Sequence, residues 1–221
     1  MIKLPDSVHI YADPFPPGGS RYQMFFECTI GSKNSNTNVC TAVSQDAANW
    51  YIWGFAPGDP PEKRSWLPWQ VGVVVPIILA TLPDGVTPLP ACDLLDPQQS
   101  NQCSYGVGYP SAVVMGGEVW IYYYSQTDGP VATSGTGYIA RARTTDGVHL
   151  TAPEKTSIFA HNLQDPRIYV LDTYRGQFFM ATAGQLGGDS PYYNPALPEK
   201  GNYFALSTDG LTFESIFRSQ T

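Results

Sequence analysis

The stretch "GYPSAVVMGGEVWIYYYSQT" (residues 108–127) predicts two β-strands joined by a tight turn. A short apolar strand follows Pro110, two glycines supply the turn, and the second strand is strongly aromatic. Paired glycines between apolar runs are typical of a β-hairpin, because glycine adopts the positive φ angles that such turns need. The segment therefore predicts a hairpin whose first strand begins just before a proline.

The same pattern occurs in two other parts of the chain, and each copy leads into a third strand that ends in a tight acidic turn. The other hairpins are "ADPFPPGGSRYQMFFECT" (12–29) and "QDPRIYVLDTYRGQFFMATA" (164–183). The third strands with their turns are "NVCTAVSQDAANW" (38–50), "GYIARARTTDGVHL" (137–150) and "NYFALSTDGLTF" (202–213). A repeat of this length predicts four-stranded antiparallel blades, with an outer strand after each acidic turn.

The composition supports an all-β fold in a single domain covering residues 1–221. The chain is 43% hydrophobic and contains 20 prolines and 21 glycines, which favours many short strands over long helices. We place the three clear blades of this β-propeller at residues 8–56, 105–155 and 164–217. The aromatic second strands are expected to pack between blades.

The segment between the first two blades fits the repeat poorly. Residues 57–104 could supply the outer strand of the first blade and part of a degenerate fourth blade. Within them, "VGVVVPIILATL" (71–82) is too short to span a bilayer and contains Pro76, so it predicts a buried strand.

The charge distribution argues against nucleic acid and membranes as partners. The formal net charge is −7, and the 12 Lys and Arg residues are scattered rather than gathered in a stripe. A neutral partner such as an oligosaccharide or polysaccharide fits better.

The repeated features resemble the blades of the five-bladed β-propeller glycosidases, the group that includes glycoside hydrolase families 43, 62, 32, 68 and 130. The matching features are the "DP" that opens an inner strand, the aromatic second strand, and the third-strand endings "ALSTDG" and "ARTTDG". This resemblance implies hydrolysis or phosphorolysis of glycosidic bonds by carboxylates at the mouth of a central channel.

The resemblance assigns roles to residues at the starts of the inner strands. It implies that Asp13 is the general base or nucleophile and that Asp165 orients the acid and holds the sugar. Arg167 shares a face with Asp165 by strand alternation and is a candidate donor to a sugar hydroxyl or to a carboxylate. Tyr109 stands where the family pattern has an aspartate, and it is a candidate sugar contact.

The general acid has no clear counterpart in the family pattern. Glu27 is the best candidate, because the second strand returns toward the rim that carries Asp13. His161, four residues before Asp165, and Tyr11, near the first inner strand, are further candidates for substrate binding. No residue spacing requires a metal or another cofactor.

Two functions remain open at this stage. The first is a glycosidase that cleaves an exposed sugar at the channel mouth. The second is a non-catalytic carbohydrate-binding or assembly module that kept the scaffold and lost the acid. Three blades also leave open how the propeller ring is completed. Further sequence could complete it, a second subunit in a homo-oligomer could complete it, or the ring could be an open form.

The cysteines bear on the compartment. Cys28 and Cys40 lie on strands predicted to be neighbours, which allows a cross-strand disulfide, although two reduced buried thiols fit equally well. The stretch "MIKLPDSV" at the start of the sequence is not preceded by a signal peptide, so we expect that any export signal was removed or never existed. An extracellular or periplasmic location is therefore an expectation that rests on the disulfide alone.

Overall fold

The computed structural model describes residues 1–3, 19–29, 36–82, 85–89, 106–126, 137–159, 164–172, 177–184 and 201–218. These residues form an all-β structure and contain no helix, so none of them belongs to a helix that could cross a membrane. The all-β prediction is confirmed.

The strands of the described residues, in chain order, are β1 (Ile2–Lys3), β2 (Tyr22–Thr29), β3 (Thr37–Ser44), β4 (Tyr51–Phe55), β5 (Ser65–Pro68), β6 (Val73–Val74), β7 (Gly106–Met115), β8 (Glu118–Gln126), β9 (Tyr138–Thr144), β10 (Glu154–Phe159), β11 (Gln164–Asp172), β12 (Gln177–Gly184), β13 (Gly201–Ser207) and β14 (Phe213–Arg218).

The strands form three antiparallel units in chain order. Unit 2 is β7–β8–β9–β10 and unit 3 is β11–β12–β13–β14, so each has the four strands that the repeat predicts. Unit 1 contains β2, β3 and β4, flanked by the short strands β1, β5 and β6. A single parallel pairing of Thr37 with Gly106 connects units 1 and 2. The predicted inner strand of unit 1 lies outside the described residues.

The hairpin that opened the sequence analysis is confirmed. Met115 pairs with Glu118, and the two residues between them, Gly116 and Gly117, have φ angles of 59° and 84°. Both angles lie in the left-handed region that side chains disfavour, which is why the turn needs two glycines.

Side chains alternate along the aromatic strand β8, so one face of this strand packs against unit 1 and the opposite face packs against unit 3. In β8, Ile121 and Tyr123 belong to the core shared with unit 1, whereas Tyr122 belongs to the core shared with unit 3. Tyr122, Tyr123 and Tyr124 are all fully buried or nearly so. The prediction that these aromatics pack between units is confirmed.

Each third strand ends in the same hydrogen-bonded turn; we call residues 44–50, 144–150 and 207–213 acidic turns 1, 2 and 3. In acidic turn 3 the Asp209 carboxylate accepts the backbone N–H groups of Leu211 at 2.8 Å and Thr212 at 2.6 Å. The Ser207 hydroxyl donates to the same carboxylate and accepts the N–H of Gly210. The same bonds recur around Asp46 and Asp146.

Polar side chains join acidic turns 2 and 3 to the units that precede them. Gln23 on β2 donates from Nε2 to the carbonyl of Gly147 in acidic turn 2 at 3.1 Å. Tyr122 on β8 donates to the carbonyl of Gly210 in acidic turn 3, and Arg141 on β9 donates to the carbonyl of Asp209 at 2.9 Å. The two joints between units therefore use the same part of the turn.

The apolar run at 71–82 is not the buried strand that its composition predicts. Only Val73–Val74 form a strand, and Val71, Val73, Leu79 and Leu82 are all exposed by more than a third. Pro76 cannot donate to a ladder, and only Ile78 and Ala80 are buried against unit 1, where Val39 pairs with Ile78. The segment covers the edge of a core rather than entering it.

The structure contains the Cys28–Cys40 disulfide, with the two Cα atoms 5.9 Å apart. The bridge joins the end of β2 to β3 over a sequence separation of 12 residues. It therefore holds the part of β2 that carries Glu27, one of the predicted site residues.

Removing this disulfide should destabilise the protein. A bridge closing a loop of this length contributes about 2–3 kcal/mol, chiefly by restricting the unfolded chain. We expect the Cys28→Ala/Cys40→Ala variant to show that loss in its free energy of unfolding, measured by urea titration. An unchanged unfolding midpoint with an unchanged slope would contradict a structural role for the bridge.

The acidic turns should make the protein sensitive to acid. Partial burial raises the pKa values of Asp146 and Asp209, but the backbone N–H donors outweigh it and lower both from 3.8 to about 2. Stability from these carboxylates is therefore complete above about pH 4 and is lost as the pH falls through about 2. We expect the melting temperature to fall across this window, as followed by circular dichroism.

The control for this titration is Asp209→Asn. Its amide oxygen can still accept the N–H groups of Leu211 and Thr212, but it does not titrate. The variant should lose less stability than the parent between pH 4 and pH 2. Identical pH profiles would show that Asp209 does not contribute to the acid sensitivity.

Candidate functional site

The structure describes some of the predicted site residues and leaves others out. Asp13, Tyr11 and His161 lie outside the described residues. Asp165 lies in the described backbone of β11, but its side chain is not described. Glu27, Tyr109 and Arg167 are described with their side chains.

Glu27 and Tyr109 meet where units 1 and 2 adjoin. Glu27 is near the end of β2 and Tyr109 is near the start of β7. The backbone N–H of Tyr109 donates to Oε1 of Glu27 at 2.6 Å, a contact between residues 82 positions apart. The structure thus brings together two residues that sequence reasoning placed at the same rim.

Tyr109 has an unusual backbone conformation. Its φ angle is 50°, and the ladder between β7 and β8 shifts register between Gly108 and Ser111. A residue with a Cβ costs roughly 1–2 kcal/mol in the left-handed region, so such residues are uncommon and often lie at functional sites. The bulge turns the start of β7 and presents its N–H to Glu27.

Two residues that sequence reasoning missed lie beside Tyr109. The rings of Tyr109 and Tyr124 are 6.4 Å apart in an edge-on arrangement. The Tyr124 hydroxyl donates to Oε1 of Gln126 at 3.0 Å. Gln126 is 1% exposed, and its Nε2 has no hydrogen-bond partner among the residues that the structure describes. A buried donor of this kind is a candidate partner for a water or ligand oxygen.

The sequence did contain a weak signal for these residues. Ser44 pairs with Tyr22 and Thr144 pairs with Val119, so the repeat register places Tyr124 in unit 2 where unit 1 has Glu27. A polar residue at the end of an aromatic strand, as Gln126 is, marks the same rim. The equivalence of Glu27 and Tyr124 is visible only once the two strands are aligned by their pairing register.

The start of β11 lies next to the start of β7. The backbone N–H of Ile168 donates to the Ser111 hydroxyl at 3.2 Å. Arg167, the preceding residue, is exposed on β11, where it pairs with Ala181. The backbone positions of Tyr109 and Asp165 are therefore brought to the same end of adjacent strands, as the repeat predicts.

The acidic turns are remote from this rim. β8 begins near the acidic turns and ends at Gln126, at the rim. Its nine residues span about 30 Å, which separates the acidic turns from the rim. The described residues also contain no cluster of three or more His, Cys, Asp or Glu side chains arranged to hold a metal ion. Among the side chains that the structure describes, the carboxylate at this rim is thus Glu27 rather than an acidic-turn aspartate.

A separate cavity of about 560 Å³ lies between the 77–86 segment and unit 2. Its lining is mostly apolar and includes Ile78, Leu82, Val107 and Tyr138. None of the described residues that line it is an acid, whereas cleavage of a glycosidic bond uses a pair of carboxylates. This cavity is therefore a weaker candidate for carbohydrate than the rim at Glu27.

Comparison with solved structures shows what this fold resembles. An α-L-arabinanase from Penicillium chrysogenum, complexed with arabinobiose, superposes with a TM-score of 0.52 at 17% identity, covering 96% of this chain and 48% of that chain. The likeness is one of fold. It confirms the predicted resemblance to the propeller-type glycosidase structures at that level.

Two further solved structures match with lower scores. A glycoside hydrolase family 32 protein from Bifidobacterium adolescentis has a TM-score of 0.49 at 18% identity, over 88% of this chain and 35% of that one. An N-acetylgalactosamine deacetylase from F. plautii, in complex with blood group B trisaccharide, has a TM-score of 0.48 at 14% identity, over 98% and 56%. This chain spans about half the length of such structures, or less. No family model and no curated protein sequence matches it.

The conformation of Tyr109 gives a test of the rim. We expect Tyr109→Gly to be more stable than Tyr109→Ala by about 1 kcal/mol, because only glycine relieves the positive φ angle. Both variants lose the ring contact with Tyr124, so the difference isolates the backbone. Free energies of unfolding from urea titration give the comparison.

The usual preference in a β-strand runs the other way, with alanine more favourable than glycine. A Tyr109→Ala variant equal to or more stable than Tyr109→Gly would therefore show that the left-handed conformation does not exist in solution.

Proposed function

We propose that this protein is a glycoside hydrolase-like protein that binds a glycan at the mouth of a β-propeller channel and cleaves it there. The observation that carries the proposal is the contact of the Glu27 carboxylate with the strained Tyr109 backbone at the rim between two units. The likeness in fold to an arabinanase complexed with arabinobiose supports a sugar as ligand. The propeller would be of the five-bladed type, with three of its blades formed by units 1 to 3.

The proposed chemistry uses carboxylates on neighbouring inner and second strands. Glycoside hydrolysis needs one group to protonate the departing oxygen and a carboxylate to act at the anomeric carbon or on its attacking water. Asp13 is proposed as base or nucleophile, with Asp165 as the residue that orients the acid. Glu27 is proposed as the acid.

The remaining rim residues are proposed to bind the sugar. Tyr109 and Tyr11 offer aromatic faces, and Arg167 and His161 offer hydrogen-bond donors. Gln126 adds a buried donor next to the Tyr124 hydroxyl, and the Tyr124 ring in turn contacts the Tyr109 ring. The disulfide next to Glu27 supports an extracellular or periplasmic location for this activity.

A second candidate function is favoured by a specific observation. Glu27 already accepts a short hydrogen bond from the Tyr109 backbone, which is a positioning role for a carboxylate. A protein in which Glu27 only shapes the rim would bind sugar without cleaving it. The alternative is thus a non-catalytic carbohydrate-binding or assembly module.

Measurements of hydrolysis and of sugar binding on the same panel of aryl glycosides, arabino-oligosaccharides and other plant and microbial oligosaccharides distinguish these functions. We expect the parent to release sugar and Asp13→Asn to release none while still binding. Glu27→Gln should reduce turnover about 100-fold or more while keeping the fold, because the amide oxygen can still accept the Tyr109 N–H. Glu214→Gln, at an exposed position on β14 beside acidic turn 3, is the matched control.

Each result decides between the candidates. Binding without turnover by the parent supports the non-catalytic module. Turnover that survives Asp13→Asn would overturn the proposed role of Asp13. Neither binding nor turnover on the panel would overturn the sugar proposal.

A further inference from the structure

The cavity of about 560 Å³ between residues 77–86 and unit 2 is an elongated cleft. We call it the apolar cleft. Its floor crosses unit 2 strand by strand, with one lining residue on or next to each strand: Val107 (β7), Tyr123 (β8), Ala142 (β9) and Pro153 (just before β10). Neighbouring strands lie about 4.8 Å apart, so three spacings extend the cleft roughly 14 Å across the sheet. Its volume lies in the range that is typical of small-molecule sites.

The apolar cleft lies at the joint between units 1 and 2, inside the array of units. Tyr123 and Ala142 line it and belong to the core that the two units share. These described walls do not depend on what adjoins the outer sides of units 1 and 3. The cleft is also distinct from the rim. Ser125 lines the cleft, whereas Tyr124 and Gln126 on either side of it lie on the opposite face of β8.

Backbone hydrogen bonds hold the segment that covers the cleft; we call residues 77–82 and 85–89 the roof. At one end of the roof, Ile78 and Val39 of unit 1 exchange hydrogen bonds between their backbone N–H and carbonyl groups, at 3.1 Å and 3.0 Å. At the other end, the N–H of Leu89 donates to the carbonyl of Ala80 at 2.9 Å. A roof bonded in this way keeps its position over unit 2, so the cleft exists before any ligand binds.

Apolar side chains line the cleft without filling it. Leu79 and Leu82 of the roof are 39% and 36% exposed, although both are large aliphatic residues. A ligand that covered them would remove apolar surface from water, which is the dominant favourable term in most association. Tyr123 and Tyr138 add two aromatic rings to the opposite wall, and contacts between rings are favourable beyond the area that they bury. The lining therefore favours an aromatic ligand.

The polar side chains that line the cleft carry hydroxyl groups. They belong to Thr81 on the roof and to Tyr123, Ser125, Tyr138 and Thr151 on unit 2. No charged residue is among the lining residues that the structure describes. Burial raises the pKa of the Tyr123 hydroxyl, so this group stays protonated at neutral pH and can donate a hydrogen bond. A charged ligand would lose its hydration here without gaining an opposite charge, which favours an uncharged one.

We propose that the apolar cleft is a binding site for an uncharged aromatic compound that carries a hydroxyl or similar hydrogen-bonding group. The ring of the ligand lies between Leu79 and Leu82 of the roof and the tyrosines Tyr123 and Tyr138 of unit 2. Its polar group bonds to the hydroxyls of the wall. This site is additional to the proposed carbohydrate site at the rim and does not rest on it.

Fluorescence titration of the 221-residue chain with N-phenyl-naphthylamine tests the proposal. This aromatic amine is uncharged at neutral pH and becomes strongly fluorescent when it leaves water. The parent should bind it saturably at a single site, and naphthol should displace it. Naphthalene sulfonate is the anionic comparison, because the Lys155 ammonium lies 4.1 Å from the centroid of the Tyr138 ring and places a cation near the cleft. The sulfonate should not displace the probe.

Matched variants test whether the probe lies in the cleft. Leu82→Asp should weaken binding about tenfold or more, because the bound probe would desolvate the new carboxylate. Val71→Asp makes a similar change at another exposed aliphatic residue, one that is not among those lining the cleft, and it should bind the probe as the parent does. Ala142→Phe fills the floor of the cleft and should abolish binding. If circular dichroism shows that Ala142→Phe does not fold, the comparison of Leu82→Asp with Val71→Asp decides.

Several results would overturn the proposal. A parent that does not bind the probe, or equal weakening by Leu82→Asp and Val71→Asp, would show that the cleft is not the site. Displacement by naphthalene sulfonate as effective as that by naphthol would contradict an uncharged ligand. Displacement by octanol more effective than that by naphthol would assign the cleft to alkyl compounds instead of aromatic ones. These measurements need no sugar, so their outcome is independent of the proposed function.

Discussion

The backbone carbonyls of the acidic turns are the groups on which the assembly of this fold depends. Within each turn, an aspartate and a Ser or Thr hydroxyl satisfy the local N–H groups, which leaves carbonyl oxygens directed outward. Buried carbonyls need donors, since an unpaired one costs about 1–3 kcal/mol. Gln23, Tyr122 and Arg141 supply these donors from the preceding unit. The polar residues buried between units are thus a consequence of the turn.

Arg141 shows how much of unit 2 is arranged around one such donor. Its guanidinium stacks 4.4 Å from the Trp120 ring and forms an ion pair with Glu154 at 3.0 Å, while Nη1 reaches the Asp209 carbonyl. Arg141 is 6% exposed, so its charge needs these partners. The ring of Trp120 in turn stacks on Phe178 of unit 3. One cation therefore organises the aromatic packing between two units.

The repeat made the local structure predictable, but not the contacts between units. The hairpin glycines, the acidic turns and the alternation of β8 follow from residue type and spacing, because each is decided within about ten residues. The joints are not visible in the sequence because the same carbonyl is satisfied by glutamine in one joint and by tyrosine in the next. The prediction of a buried strand in residues 71–82 was wrong for a related reason. An apolar run predicts burial, but Val71 and Val73 are exposed, because they lie on the side of an edge segment that faces away from the core. Sequence reasoning placed both Glu27 and Tyr109 at the rim. Their contact, however, depends on the left-handed backbone conformation of Tyr109, which no sequence pattern predicts.

The side of β2 that faces unit 2 connects the joint to the candidate site. Gln23, Phe25 and Glu27 alternate along this side: Gln23 holds the carbonyl of Gly147, Phe25 lies in the shared core, and Glu27 holds the backbone of Tyr109. Gln23 and Glu27 are four residues apart, or about 13 Å along a strand. Because a strand between two fixed ends cannot slide, the joint at the acidic turn sets the position of Glu27 against β7. The geometry of the rim therefore depends on the contact between units 1 and 2. The hydrogen bond from Gln23 to Gly147 at one end of β2 aligns the Glu27 carboxylate, at the other end, with unit 2.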